Sequence, residues 1–185
     1  MTLMLEREVK LRFATPDEAR AAVIAAGAAP LRCRRLQEDC LLDTDDETLR
    51  RRRCVLRIRT ESGKSLMTFK GPVQASSMKL RDEHETVVAD GEVLLRVLQE
   101  LGMHVWFRYQ KYREEYAAED LTIAVDETPI GTFVEIEGGE AAIIGMTEAL
   151  GRSPADFVTD SYRGLFVKHR DEHGFDGADM LFDAE

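Results

Sequence analysis

The chain has 185 residues, of which 44% are hydrophobic and 32% charged, and its formal net charge is −10. That is the composition of one soluble globular domain with enough apolar side chains for a core, and its acidic balance argues against a nucleic-acid binder held by a basic surface. No apolar run approaches the roughly 20 residues that span a bilayer, residues 1–10 carry no signal-peptide core, and three cysteines without CxxC spacing (Cys33, Cys40, Cys54) support neither a disulfide framework nor a zinc site. The expected setting is a reducing cytoplasm, with no membrane partner.

In chain order, residues 4–13 alternate charged and apolar side chains with a period of two, which predicts a strand. Thr15-Pro16-Asp17-Glu18 opens a helix, with Thr15 as cap, Pro16 in the first turn and Glu18 completing a capping box; it runs to about Ala26 and stops at Gly27. Residues 31–43 look extended and 44–49 form a polar turn. Strands follow at 54–60 and 65–70, joined by the hairpin signal Glu61-Ser62-Gly63-Lys64. A loop containing Gly71-Pro72 leads to a strand at 79–89. Residues 91–101 read as a helix, with Val93, Leu94, Val97, Leu98 and Leu101 on one stripe. Further strands are expected at 105–116, 121–126 and 131–137. Helical segments are expected at 141–150, from Ser153, and at 161–169. The acidic tail, 171–185, is expected to be mobile or loosely attached.

About eight mostly antiparallel strands with a few helices is an α+β pattern. Seven short stretches alternate charged and apolar residues, and taken together their charged parity mixes acids and bases. If the sheet closes with its apolar parity outward against helices, those charges line a polar interior.

The charged parity carries recognisable chemistry. Glu6, Glu8 and Lys10 form an ExExK pattern on one strand face, at steps of about 6.6–6.8 Å; two carboxylates and an ammonium so placed suit a hard cation beside a phosphate. Arg57 and Arg59 set two guanidiniums on one face, and Lys70 ends the next strand. Arg81, Glu83 and Glu85 share a face, as do Lys111 and Arg113. Asp126, Glu135 and Glu137 add carboxylates. Arginine binds phosphate oxygens in pairs and lysine acts as a point charge.

These segments (ExExK, LRIR, TFKGP, RxExE, KxR, VDE and FVEIE, in this order) resemble the CYTH domain superfamily. Those are the triphosphate tunnel metalloenzymes, which include thiamine triphosphatases, inorganic triphosphatases and class IV adenylate cyclases. The resemblance covers about residues 5 to 168. It implies an eight-stranded antiparallel barrel, closed or nearly closed, with helices packed outside, as residues 1–170, followed by the tail. It implies triphosphate-binding bases at Lys10, Arg57, Arg59, Lys70, Arg81, Lys111 and Arg113, with Lys168 at the tunnel mouth. It implies an acidic set for Mg²⁺ or Mn²⁺ at Glu6, Glu8, Glu83, Glu85, Asp126, Glu135 and Glu137. Lys10 joins Glu83 and Glu85 as catalytic candidates, either glutamate orienting the attacking water.

The expected function is metal-dependent hydrolysis of a small-molecule triphosphate, inorganic or organic, by a monomer or homodimer. The alternatives are a class IV adenylate cyclase, in which a ribose hydroxyl attacks the α-phosphorus, and a non-catalytic polyphosphate-binding module. The family often places an aromatic residue before the Asp-Thr of its second strand; Leu41-Leu42-Asp43-Thr44 has none. Arg50–Arg53 read as a solvated turn rather than an entrance patch. Trp106 and Phe107 read as packing, Cys54 as a small hydrophobe, His84 as outward-facing, and Asp160-Ser161-Tyr162 as no nucleophile.

Overall fold

The computed structural model describes residues 4–174 and 176–183. Eight strands close on themselves: β1 (Met4–Phe13), β2 (Ala29–Thr44), β3 (Val55–Glu61), β4 (Lys64–Lys70), β5 (Lys79–Val88), β6 (Met103–Ala118), β7 (Leu121–Thr128) and β8 (Gly131–Glu137). The order around the closed barrel is β1-β5-β4-β3-β2-β6-β7-β8, with β8 pairing back onto β1. All neighbouring pairs are antiparallel. The α+β barrel expected from the alternation is therefore present.

Local chemistry sets the joins. Ser62 and Gly63 both take positive φ, 48° and 73°, the requirement of a two-residue hairpin between β3 and β4. Helix α1 (Pro16–Ala25) starts at Thr15, whose side chain accepts from the Glu18 amide at 3.1 Å. A short helix, α2 (Thr48–Arg51), lies where a polar turn was expected. Asp90 caps α3 (Gly91–Glu100) at 2.9 Å and Ser161 caps α5 (Tyr162–His173) at 3.1 Å. Between them, α4 (Glu140–Ala149) follows β8 directly.

The apolar parity of the strands faces outward. Val9, Leu11, Ile123, Val125, Val134 and Ile136 pack with Ala19 and Val23 of α1 and Ile143 and Met146 of α4. Each such side chain removed from water contributes about 1.5–3 kcal/mol, so the helices stabilise the barrel from outside and leave its interior to charge. A second cluster joins Phe107, Phe133, Leu165, Phe166 and Met180 under α5.

Met180 corrects the expectation for the tail. It is 1% exposed, and its backbone bonds to Arg108 and Gln110 of β6 at 3.0 and 2.9 Å. The Phe182 ring packs on Tyr112. Two apolar side chains and these backbone bonds anchor an otherwise acidic segment. No helix among the described residues is long and apolar enough to cross a membrane.

Candidate active site

The barrel encloses a cavity of about 690 Å³. Its walls follow from parity, with side chains of β1, β3, β4, β5, β6 and β8 contributing. Glu6, Glu8, Lys10, Arg57, Arg59, Lys70, Arg81, Glu83, Glu85, Lys111, Arg113, Glu135 and Glu137 all line it.

On one wall, the carboxylate of Asp39 on β2 receives Arg59 Nε at 2.9 Å and Nη2 at 3.2 Å, with Arg57 Nε at 3.4 Å. Burial works against the charge of Asp39, but Arg59 and Arg57 outweigh it and hold the group below its ordinary range. Arg57 also donates to Thr68 Oγ1 at 3.0 Å, and that hydroxyl donates to Glu85 Oε2 at 2.8 Å. The two guanidiniums are thus held by Asp39, and both line the cavity.

On a second wall, Lys10 Nζ lies 3.2 Å from Glu8 and 3.1 Å from Glu135, and Lys79 also pairs with Glu8. Burial would raise the Glu8 carboxyl; Lys10 and Lys79 overcome it and keep Glu8 ionised far below its usual range. Asp126 is enclosed by Lys111 at 2.7 Å, Arg113 at 2.7 and 2.5 Å, and the Tyr162 hydroxyl at 2.5 Å.

The remaining acids are less well balanced. Lys70 Nζ sits 2.8 and 2.9 Å from the two oxygens of Glu6 and 2.7 Å from Glu83. Burial, aided by Glu8 and Glu83 and opposed by Lys70, still pushes Glu6 up to about 8. Glu137 stands opposite Glu8 in register, makes no ion pair among the described residues, and is raised by burial and then by Glu8. Some bases are also strained in charge. Burial, with Arg113 adding, lowers Lys111 to about 8, and burial with Lys10 lowers Lys79 to about 8.

Those acids fit a small divalent ion. Glu6, Glu83 and Glu137 are oxygen-only donors; crowding favours a retained proton on Glu6 and Glu137, and Lys70 lies between Glu6 and Glu83. No three acidic, histidine or cysteine side chains form a ready metal cluster among the described residues. Mg²⁺ does not need one, since it takes one or two carboxylates and completes its shell with phosphate and water oxygens.

The family model of the CYTH domain matches residues 4–152. The chain belongs to the CYTH domain family. A Methanocaldococcus jannaschii protein named "Putative adenylate cyclase" is 29% identical over 135 residues, 72% of this chain and 77% of its own. Among solved structures, a Pyrococcus horikoshii protein aligns with TM-score 0.77 at 25% identity, over 89% of this chain and 99% of that one. A Hippeastrum protein described as having a dominant triphosphatase activity aligns with TM-score 0.67 at 21% identity, over 88% and 95%. The fold is that of the CYTH triphosphate tunnel.

Two residues assigned through the CYTH resemblance lie elsewhere. Lys168 is 62% exposed and pairs with Asp160 at 2.7 Å, outside the cavity lining; the turn of α5 that it occupies faces solvent. Asp126 is 0% exposed and does not line the cavity. Its oxygens accept from Lys111, Arg113 and Tyr162. Arg51, Arg52 and Arg53 are exposed, as a solvated turn requires, yet Arg50 and Arg53 also line the cavity, Arg50 because it is laid over Trp106. Trp106 lines it too, with Arg50 over its ring at 4.4 Å.

Sequence reasoning also passed over Asp39, Lys79, Tyr109 and Tyr162. Lys79 shares the parity of Arg81 and was legible by that signal. Asp39 sits in a charge-rich stretch, residues 32–39, that lacks the charged-apolar alternation, and only the pairing of β2 with β3, which sets Asp39 opposite Arg59, reveals its part.

Proposed function

We propose that this protein is a divalent-metal-dependent hydrolase of a triphosphate held inside the barrel. The observation that carries the reading is the presence of both signs in one cavity: guanidiniums at Arg57 and Arg59 lining it, and carboxylates at Glu6 and Glu137 lacking full compensation. A polyanion with a divalent cation complements both; neither alone does.

Arg57, Arg59, Arg81, Lys111 and Arg113 bind the phosphate chain and stabilise the charge that develops on transfer. Lys10, kept charged by Glu135 and Glu8 despite its burial, fixes a further positive point on the opposite wall. Glu6, Glu83 and Glu137 are the residues that would hold Mg²⁺ or Mn²⁺. When bound, the ion supplies neutralisation of the phosphate oxygens. Glu83 is engaged by Lys70, whereas Glu85 keeps solvent contact and is steadied by Thr68. Glu85 is therefore the better group to orient the attacking water and accept its proton. The water oxygen bonds to the terminal phosphorus as the bridging oxygen departs with the diphosphate.

The test is product identification after incubation with Mg²⁺ or Mn²⁺ and tripolyphosphate, thiamine triphosphate or ATP. Orthophosphate with the matching diphosphate is the expected outcome. Cyclic AMP with pyrophosphate as the main products from ATP would overturn it in favour of cyclisation, the activity in the name of the M. jannaschii relative.

A further inference from the structure

The cavity has unequal ends along β2, β3 and β6. Past Arg59 and Arg113 the next inward positions are Glu61 and Glu115, and neither lines the cavity. The register of β2 slips between Arg32 and Arg35, and both arginines turn onto these acids. Arg35 reaches Glu61 at 3.1 Å and Glu115 at 2.7 Å, Arg32 pairs with both, and Gln37 donates to Glu61 at 2.5 Å. This side of the barrel is shut by charges that satisfy one another.

The other end carries Arg50, Arg53, Trp106 and Arg163. Arg163 Nε and Nη1 are buried and donate to no acceptor among the described residues. The guanidinium lies 5.8 Å from the Trp106 ring and 5.2 Å from the Phe107 ring. Arg53 has no ion pair among the described residues and is held by a left-handed backbone, φ 57°, at the end of α2. Arg50 is anchored by Asp43 at 3.1 Å and stacks on Trp106. Arginines laid on an aromatic ring keep their edge donors free for an anion. Buried donors without acceptors are costly unless a ligand supplies one.

We propose that Arg53 and Arg163, with Arg50 behind them on Trp106, form an anion subsite at the mouth that takes a phosphate beyond the third of a linear inorganic polyphosphate. The inference rests on the triphosphate reading above and extends it to substrate class. With Trp106 covered by guanidinium, the mouth is a poor platform for stacking a base. It also repels a cationic organic group such as the thiazolium of thiamine triphosphate.

Calorimetric titration of the metal-free protein with tripolyphosphate, tetrapolyphosphate and thiamine triphosphate tests this, because binding is read without turnover. The expected order is tetrapolyphosphate tighter than tripolyphosphate by about tenfold, the scale of one charge-assisted contact, with thiamine triphosphate weakest. Arg163→Gln and the exposed-site variant Arg53→Gln should each reduce the tetra-to-tri ratio severalfold, whatever happens to overall affinity. A wild-type ratio of one, a ratio untouched by both variants, or thiamine triphosphate binding as tightly as tetrapolyphosphate overturns the subsite. If tripolyphosphate is hydrolysed while the ratio is one, only the subsite fails. If tripolyphosphate neither binds nor reacts, the triphosphate reading fails and the subsite with it.

Discussion

Two clusters of buried charge lie end to end on β2, β3 and β6. Arg32, Arg35, Gln37, Glu61 and Glu115 interlock, and the acid at their centre, Glu61, is fully engaged. Two to four residues along the same strands, Arg57, Arg59 and Lys111 face a cavity in which Glu6 and Glu137 lack full partners. Residue types are alike, although Arg32 is half exposed where Arg57, Arg59 and Lys111 are buried. What separates a plug from a site is whether the charges close among themselves, because an uncompensated buried charge persists in a stable fold only where some other partner completes it.

The largest effect should come from a residue that belongs to the site but is closed like the plug. Asp126→Ala leaves Lys111, Arg113 and Tyr162 without their shared acceptor. A loss of about 3–5 kcal/mol is expected, read by chemical denaturation, and near-wild-type stability would show that the bases find another partner.

Arg57→Ala should instead spare the fold, since Arg59 still neutralises Asp39. Triphosphate turnover is expected to fall on the order of 10²–10³-fold, the range for removing one aligned donor. Equal losses of stability and turnover would move Arg57 from the site to the plug.

The sharpest contrast pairs two glutamates. Glu61→Gln should lower the melting temperature of the metal-free protein by several degrees. Glu137→Gln should raise it slightly, by about 2 °C if the relieved repulsion is on the order of 0.5–1 kcal/mol, while abolishing most metal-dependent turnover. The same reasoning separates Glu8 from Glu137. Glu8 is paired with Lys10 and Lys79, so Glu8→Gln should lower stability and activity together.

Smaller effects follow pH in opposite directions. Gln37 and Arg32, working against burial, lower Glu61 from 4.5 to about 2. Its stabilisation is therefore complete above 4.5 and lost as pH falls toward 2, measurable as an acid transition absent in Glu61→Gln. Burial lowers Lys111 from 10.5 to about 8, so its cost to the fold is present below 8 and relieved as pH rises toward 10.5. An anion reverses that shift. Tripolyphosphate binding near pH 8 should take up protons, read by calorimetry in buffers of different ionisation enthalpy, and Lys111→Met should reduce the uptake.

Much of this was legible in the chain. The bounds of β1 and β8 coincide with the alternation of Glu6 to Arg12 and of Glu135 and Glu137, because period two and strand geometry are the same fact. Thr15-Pro16 placed the start of α1 for an equally local reason. The tail misled because its acids dominate its composition, whereas its attachment rests on Met180, the Phe182 ring and bonds to the backbone of β6.

By itself the sequence determined which side chains share a face, hence that acids and bases would meet inside a closed sheet and apolar residues outside it. Parity is a property of neighbours in the chain. Tertiary structure alone decided which charges would find one another: Asp39 behind Arg57 and Arg59, Asp126 among Lys111, Arg113 and Tyr162, Glu61 under two arginines. Those partners lie 13 or more residues apart. Electrostatic compensation depends on distance through space, which only the register of the closed barrel sets.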